Sequence, residues 1–266
     1  MLEQKAFSPQ NQSIQFCSLG SGSKGNGTLL AFDQSLIMVD CGFSIKETVR
    51  RMDSKGICPS QVSAILVTHE HSDHIAGVAG FANKYSIPVW LNKGTNLHKK
   101  CESIKSKELF NSHQPFQLGD FLVTPVTVPH DSREATQFVF SAAEYSVGLL
   151  TDVGHITNHI IEAYSRCDAI LLEFNYELAM LMSGPYPFSL KQRVSGDLGH
   201  LSNQQAIDML SQMDLSKLSK IVAMHISEEN NRREIVKEKL KTIITTNSTR
   251  FYLANQTDGV QWLDCL

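Results

Sequence analysis

A chain of 266 residues, 42% apolar and 19% charged, can bury a sizeable core and has the composition of an ordinary soluble globular protein. A formal net charge of −3 excludes a global basic field for duplex binding, so a polyanionic substrate would need a local basic surface or bound cations. No apolar run reaches bilayer length, and residues 1–6 lack the apolar stretch of a signal peptide.

In chain order, strands are predicted at 14–19, 28–32 and 36–40, the first two joined by the glycine-serine loop 20–27. A helix follows at 45–55, stopped by Gly56, then a buried strand at 64–68. Residues 73–85 read as one helix with Ile75, Val78, Phe81 and Ala82 on its apolar stripe. Further strands are expected at 88–91, 121–128, 137–141, 146–151, 169–172 and 221–225, with closing strands near 251–253 and 260–263. Helices fit 156–165, 203–213 and 233–243. Early strands pair through short turns while helices intervene later, which implies two sheets face to face with helices outside: an αββα sandwich in one domain, 1–266. The six cysteines, Cys17, Cys41, Cys58, Cys101, Cys167 and Cys265, form no CxxC pair, which points to reduced thiols and a cytoplasmic protein.

The strand at 64–68 runs into His69-Glu70-His71-Ser72-Asp73-His74. Three imidazoles and a carboxylate within six positions are what a pair of divalent metals needs. Three later apolar runs end in a single polar residue: His130 after Val126-Thr127-Val128-Pro129, Asp152 after Leu149-Leu150-Thr151, and His225 after Ile221-Val222-Ala223-Met224. Any one of them alone would be a turn, cap or core residue. Their recurrence at strand ends suits ligands that must converge on one sheet edge.

Outside this set, Ser21, Lys24 and Asn26 lie on the glycine-rich loop. Its backbone N–H groups can approach a phosphate, or the glycines can simply serve a hairpin turn. Lys191 and Arg193 follow Gly184-Pro185-Tyr186-Pro187 and either line a nucleic-acid groove or are solvated surface charges. Tyr186 or Phe188 can stack on an unpaired base or pack within the loop.

The ordered set Asp40, His69 to His74, His130, Asp152 and His225 resembles the metallo-β-lactamase fold superfamily over nearly the whole chain. The resemblance implies that His69, His71 and His130 bind one metal and that Asp73, His74 and His225 bind another. Asp152 would bridge them with a water or hydroxide, and Asp40 would support the ligands through hydrogen bonds. Zinc and manganese both suit such a donor set, and iron is compatible.

Pro129-His130-Asp131-Ser132 departs from the Gly-His-Thr turn of the thioester and lactam branches. Glu173 in Leu171-Leu172-Glu173-Phe174-Asn175 and His200 in Gly199-His200-Leu201-Ser202-Asn203 resemble the Glu and His that pair near the scissile phosphate in RNase Z-type nucleases. That likeness implies a leaving-group relay; Glu173 as a strand end and His200 as a turn residue are the simpler roles. Residues 21–28, 68–74, 151–155, 184–187, 199–203 and 225–231 together look like the bacterial YycJ/WalJ (VicX) group. That group implies a 5′-to-3′ exonuclease on single-stranded DNA rather than RNA, active in DNA repair. Neither a membrane nor an obligate protein partner is expected. The alternative is a small-molecule metallohydrolase, either a cyclic phosphodiesterase or a thioesterase or lactonase. A non-catalytic binding module sits poorly with so complete a ligand set, and the interval from Asp152 to His225 has no room for the domain inserted in RNase J-type enzymes.

Overall fold

The computed structural model describes residues 12–244 and 249–266, so the leader reading made on residues 1–6 lies outside the described residues. The strands are β1 (Gln15–Gly20), β2 (Gly27–Phe32), β3 (Ser35–Val39), β4 (Ala64–Leu66), β5 (Val89–Leu91), β6 (Lys107–Leu109), β7 (Phe116–Leu118), β8 (Phe121–Thr127), β9 (Thr136–Ala142), β10 (Tyr145–Leu150), β11 (Ala169–Glu173), β12 (Lys220–Met224), β13 (Arg250–Leu253) and β14 (Val260–Asp264). They build two seven-stranded sheets, in the orders β14-β1-β2-β3-β4-β5-β6 and β13-β12-β11-β10-β9-β8-β7. The helices are α1 (Ile45–Asp53), α2 (Ser72–Ile75), α3 (Val78–Tyr85), α4 (Lys93–Asn96), α5 (Asn158–Tyr164), α6 (Leu178–Ser183), α7 (Phe188–Ser195), α8 (Asn203–Gln212) and α9 (Arg233–Ile243). Among the described residues no helix is long and apolar enough to cross a membrane.

Three apolar layers fill the spaces between four structural layers. Leu36 and Met38 of β3 pack outward with α1 and α3, while Ile37 and Val39 point inward against Phe121, Phe138 and Phe140 of the other sheet. In β11, Ala169 and Leu171 face the inter-sheet layer, while Ile170 and Leu172 meet Tyr164, Leu210 and Leu240 of α5, α8 and α9. Side chains alternate faces along a strand, and both faces are covered, so these strands are apolar at every position rather than at every second one. The result is the expected αββα sandwich.

The strand directions decide where the polar terminators go. β3 and β4 are parallel, as are β10, β11 and β12, while β8 and β10 each run antiparallel to β9 and hence alongside one another. Their C-terminal ends therefore deliver Asp40, His69, His130, Asp152, Glu173 and His225 to one edge of the sandwich.

The helix expected over 73–85 is two helices. Gly77 between them donates its N–H to the Cys41 carbonyl at 2.8 Å, and a Cβ there would lie 1.9 Å from the Phe43 carbonyl. The chain is bent at this point against the segment after β3. The short strands β6 and β7 and the helices α4, α6 and α7 were not expected from the sequence. α6 and α7, joined through Gly184 to Pro187, form an arm beside the sheet edge.

Candidate active site

Asp40 organises the first candidate ligands. Its Oδ1 accepts the Thr68 N–H at 2.9 Å, and its Oδ2 accepts both the Thr68 hydroxyl at 2.8 Å and His74 Nδ1 at 2.7 Å. Because Thr68 spends its proton on Asp40, its lone pair is left to accept from His69 Nδ1, 3.0 Å away. In their neutral forms His69 and His74 are thereby fixed with Nε2 as the nitrogen free of hydrogen. His71 donates Nε2–H to the Asp131 carbonyl at 3.2 Å, and His130 donates Nδ1–H to the Gly199 carbonyl at 3.0 Å. That leaves His71 Nδ1 and His130 Nε2, two lone pairs, facing each other across 3.2 Å.

The second half of the site turns on Asp152. Its Oδ2 lies 3.2 Å from His74 Nε2, and Asp73 Oδ2 is 3.5 Å from the same nitrogen. Its Oδ1 lies 3.1 Å from His225 Nδ1 and 3.6 Å from His200 Nδ1. Glu173, fully buried at the end of β11, accepts four hydrogen bonds: His200 Nδ1 at 2.9 Å, His225 Nδ1 at 3.0 Å, and the N–H groups of Leu201 at 3.0 Å and Val153 at 3.2 Å. Asp40, Asp152 and His225 each follow a strand with left-handed φ, at 60°, 55° and 51°. Such torsions are uncommon outside glycine, though Asp and His adopt them more readily than most, and they turn each side chain sharply out of its strand into the shared space.

Charge in the site follows from burial and proximity. Burial opposes a charged His74, but the carboxylates of Asp152, Asp40 and Asp73 outweigh it and hold the ring well above the usual imidazole range. His225 is likewise lifted to about 10, burial being overcome by Asp152 and Glu173. Burial would raise Asp152, yet His225 and His74 keep it well below the ordinary carboxylate range, and Glu173 is held to about 2 as His200 and His225 override its desolvation. His69, in contrast, is pushed down by burial and by the positive ring of His74 beside it.

These residues fit divalent cations. Three groups of donors, His69-His71-His130, His69-His74-Asp152 and Asp152-Glu173-His200-His225, each lie within 4.8 Å of one another. His69 Nε2 and Asp152 Oδ2 are buried without a hydrogen-bond partner among the described residues. The lone pairs of His71 Nδ1 and His130 Nε2 face each other with the opposite ring nitrogens tied to protein carbonyls, and a cation between them relieves that opposition.

The donors open onto a cleft of about 340 Å³ lined by His71, Asp73, Asp152, His200 and His225, by Tyr186, Leu190, Arg193 and Val194 of the arm, and by Asn175, Glu228 and Asn230. Of Ser21, Lys24, Asn26, Lys191 and Arg193, only Arg193 lines it. Ser21 is buried, its hydroxyl accepting the His225 N–H at 2.8 Å. Asn26 is buried too, bonding Gly22 through Oδ1 at 2.8 Å and reaching Asp73 Oδ2 at 3.2 Å through Nδ2. Both hold the glycine loop against the ligands instead of presenting groups to a groove. Lys24 pairs with Glu228 at 2.5 Å on the rim, and Lys191 donates to the Met182 carbonyl at 2.6 Å within the arm. Phe188 is exposed away from the lining, whereas Tyr186 forms part of it.

Asn175, Asn203 and Asn231 stand within the sequence motifs but had no role assigned from them. Asn175 Nδ2 donates to the His225 carbonyl at 3.0 Å, and Asn231 Nδ2 donates to Phe174 O at 2.9 Å, Asn175 O at 3.1 Å and Asn203 Oδ1 at 2.8 Å. This amide cluster fixes the segment after β11 to the segment after β12. An isolated asparagine carries no burial pattern, so its role here is read only from the folded chain.

The family model described as "Beta-lactamase superfamily domain" matches residues 36–226. "Exodeoxyribonuclease YycJ" of Bacillus anthracis is 31% identical over 235 residues, covering 87% of this chain and 89% of that protein. "Exodeoxyribonuclease WalJ" of Streptococcus pneumoniae serotype 2 is 33% identical over 228 residues, covering 84% and 85%. The metallo-β-lactamase fold protein YhfI of Bacillus subtilis superposes with a TM-score of 0.71 at 13% identity, covering 94% of this chain and 99% of that one. The sandwich, the donor-bearing strand ends and the matched span agree, and the chain belongs to the metallo-β-lactamase fold superfamily and, within it, to the YycJ/WalJ group.

Proposed function

We propose that the chain is a single-domain, cytoplasmic exodeoxyribonuclease, a metal-dependent phosphodiesterase that shortens single-stranded DNA from its 5′ end. The observation that carries the phosphodiester reading is the Glu173–His200 pair. Glu173 Oε1 takes the Nδ1 proton of His200 at 2.9 Å, in a ring that lines the cleft beside the unpartnered donors. Nε2 is then the nitrogen left to hold a proton for a departing oxygen, and the four hydrogen bonds on Glu173 fix the tautomer and the ring plane. The likeness to the exodeoxyribonucleases YycJ and WalJ supports DNA as substrate and an exonuclease mode. Five of the six cysteines are buried and all are free, in keeping with a reducing compartment.

His69, His71 and His130 are assigned to one cation, and Asp73, His74 and His225 to another, with Asp152 between them. The imidazole trio suits zinc, while the mixed carboxylate-imidazole half also accepts manganese or iron. When bound there, divalent cations bring water near neutrality in pKa and neutralise charge on phosphoryl oxygens. The chain's own residues do the remainder. Arg193 binds a phosphate at the cleft wall, Tyr186 offers a ring face to an unpaired base, and His200 supplies the leaving-group proton under the control of Glu173.

The test incubates metal-loaded protein with single-stranded oligonucleotides labelled at the 5′ or the 3′ end, beside a thioester and a lactam. Mononucleotide release from the 5′ end is expected, and turnover of only the acyl substrates overturns the proposal. His200→Ala is expected to slow cleavage by about 10²- to 10⁴-fold with metal content intact. Metal loss in that variant would make His200 a ligand instead, in line with its place beside Asp152, Glu173 and His225.

A further inference from the structure

Arg193 is the one Lys or Arg among the described residues that line the cleft. A lone cation on a flexible side chain, 58% exposed, would ordinarily lose much of its binding energy to conformational freedom. Here it is held. Arg193 Nε donates to Asp131 Oδ2 at 2.6 Å, and its remaining guanidinium N–H groups have no protein acceptor among the described residues. Asp131 is itself pinned through its backbone. Its N–H donates to the Leu198 carbonyl at 3.0 Å, and its own carbonyl accepts His71 Nε2 at 3.2 Å. Its second carboxylate oxygen, Oδ1, stands 3.6 Å from both His71 Nε2 and His130 Nε2. One residue thus touches the arm, the cleft's only guanidinium and two of the metal-ligand rings.

Resting on the nuclease reading above, we propose that Asp131 is a positioning residue for substrate. It locks the Arg193 fork over the cleft, so that the free N–H edge clamps the phosphate next to the scissile one, at a fixed distance from the metal donors. A planar fork with one edge anchored and the other open matches two phosphate oxygens, which an unanchored lysine does not. The clamp acts on a neighbouring phosphate and has nothing to grip on a diester that lacks one.

The experiment measures kcat and KM of the metal-loaded enzyme for a single-stranded oligonucleotide and for bis(p-nitrophenyl) phosphate. The proteins compared are wild type, Asp131→Asn, Arg193→Gln and the double variant, each with metal content determined. Asp131→Asn and Arg193→Gln are each expected to raise KM for the oligonucleotide about tenfold, the loss of one charge-assisted contact, with kcat within about twofold. The double variant is expected to be no worse than Arg193→Gln, because the two act as one unit. Metal content stays at the wild-type level, and kcat/KM for the small diester falls by less than that for the oligonucleotide. Unchanged KM in Asp131→Asn, additive losses in the double variant, metal loss, or equal damage on both substrates would each overturn the clamp. If wild type hydrolyses the small diester but leaves the oligonucleotide intact, the nuclease reading falls, and the clamp with it.

Discussion

Asp40 fixes two candidate ligands at once. It takes the His74 Nδ1 proton directly and the His69 Nδ1 proton through the Thr68 hydroxyl, so both rings in their neutral forms present bare Nε2 atoms to the centre. Replacing Asp40 with Ala frees His74 to adopt the other tautomer and leaves Thr68 able to donate back to His69. Loss of such a supporting partner weakens metal affinity by about 10- to 100-fold. Competition against a chromophoric chelator checks this, and an unchanged affinity in Asp40→Ala would show that packing alone sets the rings. Thr68→Val keeps the side-chain shape and removes only the hydroxyl, so it is expected to weaken the metal in the same direction but less.

At the level of elements, the site depends on how closely the segment after β3 lies against the histidine loop. A Cβ on Gly42 would sit 1.8 Å from the Asp73 carbonyl, while Asn26 N donates to that same carbonyl at 2.7 Å. Gly42→Ala must push these segments apart, at a cost of about 1–3 kcal/mol or more. Gly80→Ala is the contrast. It lies in α3, where the nearest atom to a new Cβ is Ile45 Cδ1 at 3.2 Å, and alanine's helix preference of up to about 1 kcal/mol offsets the tight fit. Urea unfolding should show a clear drop for the first variant and a change within about 1 kcal/mol for the second. The same elements show what sequence can and cannot carry. Strands such as 169–172 are legible because an unbroken apolar run covered on both faces ends in one polar residue, here Glu173, which the sheet edge delivers to the candidate site. β6 and β7, three residues each, are too short for any period to register. The arm was missed for a physical reason as well: α6 buries only Leu181 and leaves Leu178 and Met182 exposed, so no amphipathic stripe marks it. The break at Gly77 arises from contact with residues 41–43, which lie more than thirty positions earlier and leave no local trace. Ser21, Lys24 and Asn26 looked like a phosphate cradle because glycine loops of both kinds share a composition; only tertiary structure shows Ser21 and Asn26 turned towards His225 and Asp73.

On the scale of the whole molecule, the donors divide between the two sheets. Asp40 and His69 to His74 follow strands of the first sheet, while His130, Asp152, Glu173 and His225 follow or end strands of the second. A cation held by His69, His71 and His130 is therefore a cross-link between sheets that are otherwise joined by an apolar layer. Its removal should loosen the entire sandwich and not the site alone. A ligand that binds only the folded chain stabilises it by about 4.1 kcal/mol at a free concentration a thousand times its Kd. For a chain of this size that corresponds to a fall in Tm of roughly 8–16 °C when the metal is stripped. The cysteines supply an independent measure, since Cys58 is exposed and Cys17, Cys41, Cys101, Cys167 and Cys265 are buried across the three apolar layers. In the metal-loaded protein a thiol reagent should label one residue quickly and the other five only through opening of the fold. Chelation should speed all five together if the metal joins the sheets. Acceleration confined to Cys41, the buried cysteine next to Asp40, would mean that the cations stabilise only their own surroundings.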